Sequence, residues 1–160
     1  SGAAGLNYSY EFKKDKRFNV SFLGSGTEKN LAEKSFTRNF TGAGDFIQNS
    51  DDKAAGSGRN QLFNAGWRNK SDSIKHYMLN AVLSLGKDNS DASSFSENYS
   101  DPLLVNTLGL FSGSRNRQLN TNIDGSWMRK GFGKWKMLKL SGSFRYSESL
   151  KESDWNSITS

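Results

Sequence analysis

Along residues 62–86, LFNAGWRNKSDSIKHYMLNAVLSLG, apolar and polar side chains take turns. Phe63, Ala65 and Trp67 form one run, and Tyr77, Leu79, Ala81, Leu83 and Leu85 form the next, separated by the polar turn NKSDS. Asn64, Gly66, Arg68, His76, Asn80 and Ser84 lie between them. Successive side chains on a strand point to opposite faces, so a period of two predicts two strands, each with one apolar face, joined as a hairpin. Met78 and Val82 blur this alternation without removing it.

The pattern recurs on either side. In GLNYSYEF, residues 5–12, Leu6, Tyr8, Tyr10 and Phe12 share a face, and after the turn KKDK the face resumes with Phe18, Val20 and Phe22. In QLNTNIDGSW, residues 118–127, Leu119, Thr121, Ile123 and Trp127 oppose Asn120, Asn122 and Asp124. Past MRKGFGK, the segment WKMLKLSGSFRYS sets Leu138, Leu140, Phe144 and Tyr146 against Lys139, Ser141, Ser143 and Arg145. Trp135 and Met137 have the wrong parity for that apolar face, which points to the turn or to a bulge. The reading is all-β: about six antiparallel up-and-down strands as three hairpins, at about residues 5–23, 60–86 and 117–147. Long loops are expected over about residues 25–58 and 87–115, although KSFTRNFTG and LLVNTLGLFSG within them have the texture of strand extensions.

Two surroundings satisfy such a face: the core of a soluble β-sandwich or barrel that binds or adheres, and lipid around a transmembrane β-barrel. Three features favour lipid. The opposite face carries Asn, Ser, Asp, Lys and Arg, as a water-filled lumen requires. Tyr10, Phe12, Phe18, Trp67, Tyr77, Trp127 and Trp135 gather near the tight turns, where aromatic rings suit the headgroup boundary. Short turns at one end and long connections at the other match the asymmetry of outer-membrane barrels. Six strands are fewer than the roughly eight of the smallest such barrels. The chain is therefore expected to be one part of a larger barrel, cut at both ends. Arg68, His76, Asp124, Lys139 and Arg145 are the candidate lumen-facing polar residues.

Composition supports this picture. Only 34% of the 160 residues are hydrophobic and mean hydropathy is -0.74, yet 12% are aromatic. That is poor material for a soluble core and too aromatic for a disordered chain. No apolar run approaches the roughly 20 residues of a membrane helix. The net charge of +6 is dispersed through turns and polar faces, the pattern of a solvated surface and not of a nucleic-acid site.

With these residues in view, AGLNYSYEFKKDKRFNVSF, FTRNF and above all LFNAGWRNKSDSIKHYMLNAVLSLGKDNSD resemble the barrel of Bacteroidetes outer-membrane β-barrel proteins of the TonB-dependent-receptor-like family. Lys70, Asp72 and Ser73 match the family's K-x-D-S turn. The resemblance implies a location in the outer membrane of a Gram-negative bacterium, with the lipid bilayer and the rest of a longer barrel chain as partners. It also implies TonB coupling and transport or capture of an extracellular solute, with no cofactor.

Little else in the chain suggests chemistry. His76 is the only histidine, and Ser73 and Ser84 are the serines that a hydrolase reading recruits, but nothing sets a serine, a histidine and an acid in register. The absence of cysteine removes disulfides and thiolate metal sites. GSGT, GAGD and GSGR lack the continuation of a phosphate-binding loop. The acidic groups NSDD, residues 49–52, and DNSD, residues 88–91, offer loop carboxylates to Ca²⁺ without the EF-hand spacing. No enzyme activity is expected.

Overall fold

The computed structural model describes residues 1–13, 15–41, 44–70, 74–100, 103–132 and 135–160, with the side chains of residues 13, 41, 44, 132 and 135 excepted. The fold is all-β. Six strands, β1 (Gly2–Lys13), β2 (Lys16–Thr41), β3 (Gly44–Asn69), β4 (Lys75–Ser100), β5 (Leu103–Phe132) and β6 (Trp135–Thr159), form one antiparallel sheet in the order β1-β2-β3-β4-β5-β6. The chain goes up and down with no crossover, and β1 and β6 are the sheet's two edges.

The expected hairpins are present, but the long loops are not. Residues 27–41 continue β2, residues 44–58 open β3, and residues 88–100 and 103–116 belong to β4 and β5. These segments lack a one-sided apolar face because both of their faces carry polar and charged side chains. Backbone pairing holds them extended without that signal. Gly58, within the expected loop, has a packing role, while Gly42 and Ala43 of GAGD lie outside the described residues. A Cβ on Gly58 would lie 2.8 Å from Asp88 Oδ1 and 3.0 Å from Thr27 Oγ1, so a bare backbone leaves room for both neighbours. The acidic groups at 49–52 and 88–91 are likewise strand, not loop: Asp51 and Asp52 point to opposite faces, as do Asp88 and Asp91. They cannot converge on one cation.

The chain forms two compact units. Unit 1 comprises Ser1–Gly26, Arg59–Lys87 and Arg117–Leu150, and unit 2 comprises Thr27–Gly58, Asp88–Asn116 and Lys151–Ser160.

In unit 1 the register separates the two faces. Leu6 pairs with Phe22, Tyr8 with Val20 and Tyr10 with Phe18 on one side; Asn7 pairs with Ser21, Ser9 with Asn19 and Glu11 with Arg17 on the other. A shift between Glu11 and Lys13 forms a bulge before the turn, where Asp15 takes a φ of 72°, a conformation that Asp tolerates better than most residues. The apolar side continues across the sheet. Phe22 and Phe63 have ring centroids 4.7 Å apart, Trp67 and Tyr77 6.2 Å, and a Cβ on Gly125 would meet Leu79. The polar side continues as Asn64 donating to Ser21 Oγ at 3.1 Å and Ser147 to Asn120 Oδ1 at 2.7 Å.

Among the described residues no hydrophobic side chain is buried. Leu6, Tyr8, Phe12, Leu79, Leu140 and Phe144 are all exposed.

The strand extensions have a direct check. Amide hydrogen exchange in the folded chain is expected to be slowed on the order of a hundredfold or more over residues 27–41 and 44–58 relative to unstructured peptide. Exchange of those amides at the free-peptide rate would restore the loop reading.

Candidate functional site

Three surfaces have functional shape: the apolar face and the polar face of unit 1, and a trough in unit 2.

On the apolar face, the predicted aromatic anchors gather at the turn end of the strands. Tyr10 pairs with Phe18 across β1 and β2, Phe12 packs edge-on against Tyr10 at 4.7 Å, and Tyr8 stacks on Tyr10 at 6.5 Å. Trp67 and Tyr77 meet between β3 and β4. Trp127 has the parity of Gly125, which puts it on the same face as Leu79 and Tyr77. Trp135 opens β6, and its side chain lies outside the described residues, as do Asp72 and Ser73 of the predicted turn.

The polar face brings some of the predicted residues together. Arg68 lines a hollow of about 360 Å³ with Asn7, Ser9, Arg17, Asn19, Ser21 and Asn80, where Arg17 Nε donates to Ser9 Oγ at 2.8 Å. A second hollow, of about 310 Å³, is lined by Asp124, Asn80, Ser126, Ser141 and Ser143. Asp124 accepts a hydrogen bond from Asn122 at 2.8 Å and forms no ion pair with Lys139, Arg145 or Arg68 among the described residues. Lys139 and Arg145 share the parity of Ser147, which places both, exposed, on this face. His76 lies on the polar side of β4 with its Nδ1 shielded and without a partner. Ser84 is about eight residues further along the same strand, or roughly 26 Å. That distance gives no nucleophile and base pair, and Ser73 lies outside the described residues.

The trough was not visible in the sequence. In unit 2, the Ser35 and Ser50 hydroxyls meet at 2.6 Å, and Asn98 donates to Asn106 at 2.6 Å. The approach of Gly58 to Asp88 and Thr27 ties these strands to the same face, while the Thr107 and Ser160 hydroxyls meet on the other. Alternation then sets Leu31, Ala54, Ala92, Ser112 and Trp155 in one row from β2 to β6. These residues line a cavity of about 730 Å³, adjoined by one of about 440 Å³ that adds Glu33, Asp52 and Leu110. Small residues form the floor, and Leu31 and the Trp155 ring, 81% exposed, stand above it. The carboxylates of Glu33 and Asp52 have no hydrogen-bond or ion-pair partner among the described residues. A flat apolar ligand surface fits against the indole, with the carboxylates free to accept its polar hydrogens. The sequence of residues 25–58 predicts a loop, so only strand register joins Leu31 to Trp155.

The opposite face of unit 2 is charged and internally paired. Lys34 and Lys53 both reach Asp51 at 3.6 Å, Arg38 binds Asp45 and lies 5.1 Å from the Phe40 ring centroid, and the Tyr99 hydroxyl donates to Glu97 Oε2 at 2.8 Å. That hydrogen bond, reinforced by slight burial and by the carboxylate's charge, holds the Tyr99 phenol above its ordinary titration range.

No family model matches the chain, and no curated protein matches it. Among solved structures, the chain is similar along 99% of its length to 31% of a chain in the membrane pore complex of pneumolysin, with 7% identity and a TM-score of 0.23. The chain thus spans less than a third of that relative, and a likeness at this level carries no argument about fold or function.

Two measurements check these placements. Trp155→Ala is expected to change unfolding free energy by less than about 0.5 kcal/mol, because the ring is exposed, whereas Phe22→Ala, which loses the Phe63 contact, costs about 1 kcal/mol or more in denaturant titration. In a spectrophotometric titration, Glu97→Gln should bring the Tyr99 phenol back down toward its ordinary range; no change in that variant would contradict the pairing.

Proposed function

We propose that the chain is a wall segment of an outer-membrane β-barrel that serves solute transport or surface ligand binding, coupled through TonB. The observation that carries this reading is the absence of any buried hydrophobic side chain among the described residues, combined with a one-sided apolar face in unit 1. A sheet of this kind needs an apolar medium against that face. The run from Tyr77 to Leu85 covers about nine residues, or roughly 26–30 Å of strand, which is the length a tilted strand needs to cross a bilayer core.

The aromatics at the turn end take the headgroup position, and Arg68, Asp124, Lys139 and Arg145 border the aqueous interior. The strand segments of unit 2 carry charge on both faces and belong in water. There the trough bounded by Leu31 and Trp155 is the surface that meets the solute, through contact with the indole and hydrogen bonds to Glu33 and Asp52. The two edges, β1 and β6, are where the rest of a longer barrel wall pairs. In a TonB-coupled barrel, capture outside is followed by energy-driven passage. This chain's part is the wall and the outer contact surface, with no catalytic step.

The test is solvent dependence. Refolded into detergent or lipid, the chain should be monodisperse and melt cooperatively; without either, it should aggregate. A monodisperse product that melts cooperatively in plain buffer would overturn the lipid-facing reading and favour a soluble binding module. As a second check, Ala81→Arg, near mid-band on the apolar face, should cost about 2–4 kcal/mol in lipid, while Asn80→Arg, one residue away on the polar face, should cost under about 1 kcal/mol.

A further inference from the structure

At the end of the band remote from the aromatic cluster, the apolar face of unit 1 ends in three cations. A Cβ on Gly86 would lie 3.1 Å from Asn60 Oδ1 and 3.6 Å from Gln118 Cβ, so Asn60, Gly86 and Gln118 are cross-strand neighbours on the polar face of β3, β4 and β5. The adjacent residues Arg59, Lys87 and Arg117 are therefore neighbours on the apolar face. They stand in one row, one step along each strand beyond Gln61, Leu85 and Leu119. All three are exposed, and none has a hydrogen-bond or ion-pair partner among the described residues.

Like charges directly opposite one another on adjacent strands, roughly 5 Å apart at Cβ, destabilise a sheet. Elsewhere the chain balances its charges, as where Asp51 answers Lys34 and Lys53 and Asp45 answers Arg38. Three acids have the parity of this face next to the row, Glu28 of β2 and Glu148 and Glu152 of β6; none forms an ion pair with it among the described residues, and Glu148 accepts a hydrogen bond from Tyr146 at 2.8 Å. A row of three cations that forms no ion pair among the described residues, at the end of an apolar band, matches a ligand with anionic oxygens at the same height and hydrocarbon alongside.

We propose that Arg59, Lys87 and Arg117 form a binding site for the phosphate groups of an anionic lipid whose acyl chains lie on the band that Leu85 and Leu119 begin. The site rests on the membrane reading above. Arg59 and Arg117 present planar forks that match phosphate oxygens, and Lys87 adds a point charge between them. The site makes the lipid-facing surface selective, because a zwitterionic headgroup offsets the charge that the row seeks.

The experiment compares wild-type chain inserted into phosphatidylcholine vesicles with and without a lipid bearing exposed phosphate, phosphatidic acid, using a titration of affinity for the anionic lipid. Each cation near a charged bilayer surface is worth roughly a fivefold change in affinity, so Arg59→Gln/Lys87→Gln/Arg117→Gln should weaken the preference about a hundredfold. The control Lys29→Gln/Lys151→Gln, which removes charge from the other face of unit 2, should leave it unchanged. Should the triple variant fold poorly, the wild type still decides: its preference should fall steeply between low and high salt.

Insertion into both vesicles with no loss of preference in the triple variant, or no salt dependence in the wild type, overturns this site and leaves the membrane reading intact. Inorganic phosphate that competes as well as the lipid assigns the row to free phosphate and overturns the lipid assignment. Failure to insert into either vesicle overturns the membrane reading and this site with it.

Discussion

A single β-sheet gives its side chains little to pack against except their neighbours on the same face. Ordering each residue costs about 1–2 kcal/mol of backbone entropy, and globular domains offset that chiefly by removing apolar surface from water. Here no described hydrophobic side chain is buried, so the sheet by itself supplies little of that offset. The other features follow from this constraint. Most of the apolar residues of unit 1 are on one side, the arrangement that lets a single face meet an apolar medium. The opposite side is built largely from Asn, Ser and Arg, side chains suited to contact with water.

The same constraint explains how the contacts are distributed. On the apolar face, stabilisation is lateral: Phe22 against Phe63, Trp67 against Tyr77, Tyr10 between Tyr8 and Phe12. Such cross-strand pairs are worth a few tenths to about 1 kcal/mol each, enough to fix register but not to replace a core. On the polar face, short side chains bond across strands, as Asn64 does to Ser21 and Ser147 to Asn120. In unit 2, where neither face is uniformly apolar, ion pairs such as Lys34–Asp51 and serine contacts such as Ser35–Ser50 take over the lateral role. The Leu31–Trp155 trough is the exception there, a patch of apolar surface kept on a polar face, and that contrast is what marks it as a contact surface.

How much of this the sequence revealed depended on whether the two faces of a strand differ in polarity. At Phe63–Trp67 and Tyr77–Leu85 they do, and period-two alternation gave the strands, the hairpin and the face assignment. The gathering of Tyr10, Phe18, Trp67 and Tyr77 on one face near the turns could be read for the same reason. Over residues 27–41 and 44–58 both faces are polar, so alternation carries no information, and Gly58 has the look of loop punctuation although it is a place of close approach. Met137 broke the expected parity and was assigned to a turn or bulge; it is instead an ordinary, exposed β6 residue on the polar side. Juxtapositions across strands, such as Arg59 with Lys87 and Arg117 or Leu31 with Trp155, depend on register, which no stretch of sequence states by itself.

The central claim is that one identified face of unit 1 meets hydrocarbon. Its most direct measurement is fluorescence quenching by lipids brominated along their acyl chains, on variants that keep a single tryptophan, the other three being replaced by Phe. Trp67, on the apolar face, should be quenched strongly, and Trp155, in the trough of unit 2, should not be quenched. Equal quenching at both positions, or none at Trp67 in a folded, vesicle-bound chain, would contradict the account.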